Sequence, residues 1–392
     1  MTAAFSADVL VARASEETGL ADFGPWAWRD GLEALFDAAA AEADLNEVGL
    51  GVFASWVHRR LVNRLQVIDW ARRHPEIRDA KVARPLVVAG MLRTGTTLLC
   101  ELLARDPANR PLMKWEGLAC VPPPERASFA SDPRIARAVG EVEFQYEMVP
   151  RLRAVHYEPG DGPTECVALL TQSFRAQDFF GLFRVPSFVA WYRACDFRPA
   201  YDYHRLCLQL LQSRAPGRWS LKAPGHLHAL GAVLAVYPDA RLIVTHRDPL
   251  EVVPSSASLS VSSRPDSLRR DRDREGTRRY YGRLWLEELG LMTDRLVEFR
   301  EERPEVPFHD LSYRDLLRDP LAAVRAAYAR FGETLSPAAE TAMRAHLAAS
   351  PQNRHGKHEY GLADFGLAEG EVRERFTRYA RRFEGELGGR EA

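Results

Sequence analysis

Arg84-Pro-Leu-Val-Val-Ala-Gly-Met-Leu-Arg-Thr-Gly-Thr-Thr-Leu-Leu-Cys-Glu-Leu-Leu-Ala104 decides the fold of this chain. The apolar run that ends at Ala89 reads as a buried strand, Gly90 and Gly95 bracket a tight loop, and Thr96 opens an apolar helical pattern. In that geometry backbone N–H groups converge on an anion, with the positive end of the helix dipole behind them. The glycines enclose four residues, the spacing of the phosphate-binding loop G-x-x-x-x-G-K-[ST]. Thr96 and Thr97 stand where Lys and Ser/Thr would be, and Arg93 is the loop's cation. A nucleotide phosphate is expected here, but the lysine that spans the β- and γ-phosphates of a triphosphate is missing. The plain alternative is a strand–turn–helix that uses glycine only for backbone freedom. Arg93 between the glycines and two hydroxyls at the helix start favour anion binding.

Outward from this loop, apolar runs at Pro85 to Ala89, Arg218 to Leu221, Arg241 to Thr245 and Val306 to Leu311 alternate with helical patterns. Short apolar strands between helices predict a parallel sheet covered on both faces, a P-loop-like three-layer α/β fold. Residues 1–82 read as a helical N-terminal arm, in which Phe53, Val57, Leu61, Leu65 and Ile68 form one face and Arg59, Arg60 and Arg64 lie on others. Residues 83–392 form the main domain, with a helical insertion over about 131–212. Its aromatics, among them Phe174, Phe179, Phe180, Phe188 and Tyr192, fit a core stripe and an apolar acceptor pocket equally. Arg264 to Arg283, dense in charges of both signs, reads as a solvated loop and helix or a mobile lid, without a catalytic role.

Composition bounds the function. The 392 residues carry 53 Lys plus Arg against 54 Asp plus Glu, so no general attraction to nucleic acid or membrane surface is indicated. The five cysteines lack C-x-x-C spacing, which points to a reduced protein without a metal site or catalytic thiol. Neither a secretory signal nor a stretch long enough to span a membrane is evident, so a cytoplasmic protein is expected.

Two further segments end strands with anion-binding residues. Thr245-His-Arg-Asp-Pro249 puts Arg247 at a strand's C-terminal end, with Ser255 eight positions further on inside the next helix. Trp219-Ser-Leu-Lys-Ala-Pro-Gly-His-Leu-His228 places Lys222 and His226 at another strand's end, where an ammonium needs an anionic partner. Asn353-Arg-His-Gly-Lys-His358 is a basic patch near the C-terminus.

Together these segments resemble the sulfotransferase superfamily that uses 3′-phosphoadenosine 5′-phosphosulfate (PAPS). The similarity is to the bacterial branch with a GxxRTGTT loop (Gly90 to Thr97), LKxPxHL (Leu221 to Leu227), THRDP (Thr245 to Pro249) and a terminal Y-x-L-x-DFGL stretch (Tyr360 to Leu367). The resemblance implies that Arg93, Thr94, Gly95, Thr96 and Thr97 hold the 5′-phosphosulfate, and that Arg247 and Ser255 hold the 3′-phosphate. It also implies that Arg354 and Gly356 border the 3′-phosphate. No metal is implied, since sulfate brings less charge than a γ-phosphate and side chains can supply the cations. The implied reaction is in-line transfer of a sulfuryl group to the hydroxyl of a small molecule, an apolar or lipid-like one if the aromatics line the pocket.

Arg93 and Lys222 are the candidates for stabilising the leaving group. The general base is open between three residues. Glu116, in Lys114-Trp-Glu-Gly117, stands two residues beyond the position of the tyrosylprotein branch's catalytic glutamate. His226 stands four residues from Lys222, where the cytosolic branch has a Lys-x-His base. Glu165, in Gly162-Pro-Thr-Glu-Cys166, comes third. A nucleotide kinase or NTPase, or a non-catalytic nucleotide-binding protein of the same fold, are the competing functions. A homodimer through the helical arm is an open expectation.

Overall fold

Leu86 to Gly90 is buried at every position, and its side chains divide between two apolar layers. Val87 and Ala89 join Leu221, Leu242 and Val244 on one face of the sheet, whereas Leu86 and Val88 join Ile243 and Leu311 on the other. That period-two alternation, with both sets apolar, is what a parallel strand between two helical layers requires. The computed structural model describes residues 5–349 and 360–387.

Five parallel strands, β1 (Leu86–Gly90), β2 (Asn109–Pro111), β3 (Arg218–Lys222), β4 (Arg241–His246) and β5 (Phe308–Ser312), run in the order β2-β3-β1-β4-β5. β1 is central, paired with β3 through Val88 opposite Lys222 and with β4 through Gly90 opposite Thr245. The loop after β1, Lys222 and Thr245-His-Arg247 therefore emerge at one edge of the sheet, the ligand-binding crevice of an open parallel sheet. β2, an edge strand of three residues, went unforeseen: Asn109-Arg-Pro has no apolar run to announce it.

α1 (Ala7–Thr18), α2 (Arg29–Glu42) and α3 (Glu47–Arg73) build the N-terminal region. Their apolar faces share a single buried cluster with one face of the sheet and with the helices Arg198–Gln212, Pro249–Ser262 and Arg274–Glu302. α3 departs from its sequence pattern at Arg64, which is fully buried instead of lying on a polar face. Its guanidinium donates to the carbonyls of Phe23 (2.8 Å) and Trp26 (3.1 Å) and to Ser173 Oγ (3.0 Å), so the charge is met by fixed dipoles from two segments.

The aromatic stripe of the insertion is core. Phe174, Phe179, Phe180 and Phe188 are fully buried; Phe179 packs on Phe174, Phe188 and Trp56, Phe180 on Trp285, and the neighbouring Phe183 on Phe53. In the 264–283 stretch Arg264 donates to Tyr281 Oη (2.9 Å) and Arg269 to Thr277 Oγ1 (2.8 Å), so two of its arginines tie the segment to the following helix instead of standing in solvent. No described helix is long and apolar enough to cross a membrane.

Candidate active site

The phosphate-type loop is held open by close contacts. Gly90 has φ of 156°, and a Cβ there would meet Thr245 Oγ1 at 2.2 Å, so only glycine lets β1 lie so near the end of β4. Thr94 Oγ1 donates to the Met91 carbonyl (2.7 Å) and lies 2.6 Å from Thr245 Oγ1. Its hydroxyl is thus spent inside the loop, leaving the backbone N–H as what Thr94 offers a ligand. Arg93 adopts a left-handed φ of 66°, a conformation that costs a non-glycine residue about 1 kcal/mol. Gly95, at φ of 85°, precedes α4 (Thr96–Leu103) and supplies no side-chain cap. The first-turn N–H groups of α4, which no helix satisfies internally, therefore lie beside a cavity of about 430 Å³ lined by Arg93, Gly95, Thr96 and Thr97.

Arg247 and Ser255 meet this loop. The Arg247 Nη1 donates to the Arg93 carbonyl (2.8 Å), its Nη2 is 2.6 Å from Glu251 Oε2, and its guanidinium lies 4.3 Å from the Tyr313 ring centre. Ser255, buried, accepts from Arg93 Nε (3.2 Å) and from the Tyr360 hydroxyl (2.6 Å). Three segments distant in sequence thus close on one point, and Tyr360 joins through the terminal stretch. Burial lowers the Arg93 pKa, with the Arg247 charge acting in the same direction, although a guanidinium keeps its proton. Two cations held this close fit an anionic ligand between or beside them. Arg354 and Gly356 lie outside the described residues.

At the end of β3, Lys222 is buried and its Nζ is 2.5 Å from Glu165 Oε1. Burial opposes the ammonium, but the charges of Glu165 and other neighbours outweigh it and raise the Lys222 pKa. Lys222 also borders a small recess together with Thr97 and His156, next to the main cavity. A cation at the helix N-terminus, a paired carboxylate and an enclosed volume make a site for transferring an anionic group. A model of the Sulfotransferase family matches residues 85–337, the span of this loop, Lys222, Arg247 and the whole sheet. The chain belongs to the Sulfotransferase family.

Solved structures extend the match to the rest of the chain. Sulfotransferase STF9 from Mycobacterium avium is 32% identical, covers 100% of both chains and superimposes with a TM-score of 0.90. Sulfotransferase STF1 from Mycobacterium tuberculosis H37Rv is also 32% identical, covers 95% of this chain and 98% of its own, and gives a TM-score of 0.82. No curated protein matches the chain.

Within this sulfotransferase, the three base candidates are placed very differently. Glu116 does not line the cavity: it is fully buried against Arg110 (Nη2 to Oε1 2.5 Å) and accepts from the Met113 N–H (3.0 Å). Arg110, on β2, stacks 4.0 Å from the Trp219 ring, so this pair fastens the edge strand to β3. Burial raises the Glu116 pKa, while Arg110 pulls it down. His226 is equally remote. Its Nδ1 lies 2.6 Å from Tyr201 Oη, and burial pushes the imidazole down to about 3, where it takes up no proton near neutrality. Glu165 does line the cavity, paired with Lys222.

Several lining residues carried no signal in the sequence. Glu158 is held down at about 2: burial works against its charge, but Lys114, at 2.5 Å, prevails together with His156 and Lys222. Asp178 is pushed up to about 7, first by burial and then by the Glu165 charge. His156 borders both the cavity and the recess, its pKa lowered by burial. A Val155-His-Tyr-Glu158 stretch resembles no motif, and only folding brings it opposite α4.

Proposed function

We propose that this sulfotransferase takes PAPS as donor and transfers its sulfuryl group to a hydroxyl of a small molecule. The observation that carries the reading is the meeting of Arg93, Arg247, Ser255 and Tyr360 beside the uncapped start of α4, one wall away from Lys222 and Glu165. On this reading the N–H groups of Thr94 to Thr97 and the Arg93 guanidinium take the 5′-phosphosulfate. Arg247 and Ser255 take the 3′-phosphate, bordered by Arg354 and Gly356. Adenosine then lies between two anchored anions, which fixes the sulfur in line with the cavity.

The transfer couples three changes in the reactants. The acceptor oxygen attacks sulfur, the bond from sulfur to the bridging phosphate oxygen breaks, and charge gathers on the departing 5′-phosphate. Lys222 and Arg93 stabilise that charge. The acceptor's proton goes to Glu165, the candidate that shares the cavity. In the free protein Lys222 holds the Glu165 carboxylate; once the donor's phosphate draws the ammonium, a carboxylate oxygen is released toward the acceptor hydroxyl. The products are the sulfated acceptor and adenosine 3′,5′-bisphosphate. Catalysis of this kind is positioning and charge stabilisation, and no metal enters it.

We also read residues 1–82 as an arm belonging to the 83–392 domain, acting in the cytoplasm, with homodimerisation through that arm as a further element of the proposal. The test of function is incubation with sulfur-labelled PAPS, without added Mg²⁺, and a metabolite extract, followed by mass spectrometry. Labelled sulfate on a hydroxylated product is expected. Mg²⁺-dependent ATP turnover with no transfer from PAPS would refute the donor assignment. Glu165→Gln lowers kcat on the order of 100-fold or more with bisphosphate affinity retained; an unchanged kcat refutes its role.

A further inference from the structure

The acceptor side of the cavity contains polar groups that the protein leaves unused. Gln177 is 6% exposed, lines the cavity, and its Oε1 has no hydrogen-bond partner. A Cβ on Gly225 would lie 3.6 Å from that oxygen, so the amide faces the turn that follows β3. Asp178 follows it, also on the wall, and no hydrogen bond or ion pair from a described residue reaches its carboxyl. Arg60 lies on the wall as well. Its Nη1 donates to the Trp56 carbonyl (2.7 Å), while its buried Nε donates to nothing.

Buried polar groups in folded proteins are almost always paired, so unpaired ones on one wall need a reason. Other polar groups of this wall do not share the condition. Asn63 accepts from the Cys120 N–H (3.1 Å), and Gln172 accepts from the Tyr203 hydroxyl (2.7 Å). Two of the unpaired groups are buried atoms, an amide oxygen that accepts and a guanidinium N–H that donates, and the third is a half-buried carboxyl that accepts when ionised. The insertion's Phe174, Phe179, Phe180 and Phe188 are fully buried in the core and do not line this wall, whose aromatic members are Trp115, Tyr146, Trp285 and Tyr313.

We propose that this cavity selects an acceptor bearing several hydroxyl groups, a sugar-like polyol, with Gln177, Asp178 and Arg60 as the residues that read it. A hydroxyl donates and accepts at once, so neighbouring hydroxyls can satisfy the amide oxygen, the carboxylate and the Arg60 Nε together. A sterol or fatty alcohol has one hydroxyl, which the reaction consumes, and leaves all three groups unpaired. A site built to hydrogen-bond a substrate's hydroxyls rejects analogues lacking them far more strongly than an apolar pocket rejects a hydroxyl. The inference rests on the sulfotransferase reading and narrows its acceptor.

The test uses the full chain saturated with adenosine 3′,5′-bisphosphate, whose own binding is followed by calorimetry. Saturation-transfer NMR then compares methyl α-glucoside, maltose and maltotriose with 1-decanol, 4-nitrophenol and cholesterol. Binding of at least one saccharide, weakened roughly tenfold or more in Gln177→Leu and in Asp178→Asn at unchanged bisphosphate affinity, is expected. Binding of an apolar alcohol in place of every saccharide overturns the proposal, as does saccharide binding indifferent to both substitutions. If the bisphosphate itself does not bind, the donor assignment fails; the saccharide titration, repeated on the free protein, still decides the acceptor.

Discussion

Asp178→Asn is expected to stabilise this protein at alkaline pH, and by an amount that grows with pH. The Asp178 carboxyl sits at about 7 in the folded chain because burial and the Glu165 and Glu158 charges outweigh Lys114 and Arg60. An unfolded aspartate titrates near 3.9. Between those values the folded state binds the proton that the unfolded state has lost, so stability falls as pH rises and levels off above 7. At about 1.4 kcal/mol per unit, a gap of roughly three units sets a ceiling near 4 kcal/mol. Asp178 is only partly buried and water reaches its cavity, so we expect about 1–2 kcal/mol. For a chain of this length that is a rise of roughly 1–3 °C in Tm if unfolding is cooperative. Differential scanning fluorimetry of the wild type and Asp178→Asn at pH 5 and pH 8 reads it. The variant's advantage should be small at pH 5 and larger at pH 8. An advantage that is constant with pH, or a variant less stable at pH 8, would refute the assignment of an unpaired carboxyl, and with it the idea that stability is given up here for recognition.

Other outcomes follow from single contacts. Arg247→Ala weakens adenosine 3′,5′-bisphosphate binding by about 1.5–3 kcal/mol, the worth of a charge-assisted phosphate contact; equal affinity in calorimetry contradicts that role. Glu116→Ala leaves Arg110 buried and unpaired and lowers stability by about 3–5 kcal/mol in chemical denaturation. A large kcat loss at unchanged stability would instead return the base to Glu116. Gly90→Ala forces a methyl into Thr245 Oγ1 at 2.2 Å, and should abolish bisphosphate binding or soluble expression, whereas near-normal binding would show that the loop can relax around it.

The strand–loop–helix at residues 84–104 was legible because its signals are local. An apolar run, two glycines at fixed spacing and hydroxyls at a helix start each act within a few residues, and the same held for β3, β4 and β5. β2 was not legible, since a three-residue edge strand buries too little to need an apolar run. That Arg93, Lys222 and Arg247 would gather at one edge of the sheet could be read in advance, because strand ends of a parallel sheet open onto one crevice whatever surrounds them; Ser255, inside a helix, was singled out by the family resemblance. The rest depends on partners far away in sequence. Whether a glutamate can serve as a base turns on what faces it, and Arg110 claims Glu116 while Lys222 brings Glu165 to the cavity. Whether the aromatic stripe lines a pocket or fills a core depends on α3, whose Phe53 and Trp56 cover it. Composition and periodicity thus determine which segments become the long strands and helices and at which edge of the sheet the loop cations collect. Only the packed chain decides which buried polar groups are left without a partner, because pairing is a property of two surfaces and a sequence pattern describes one.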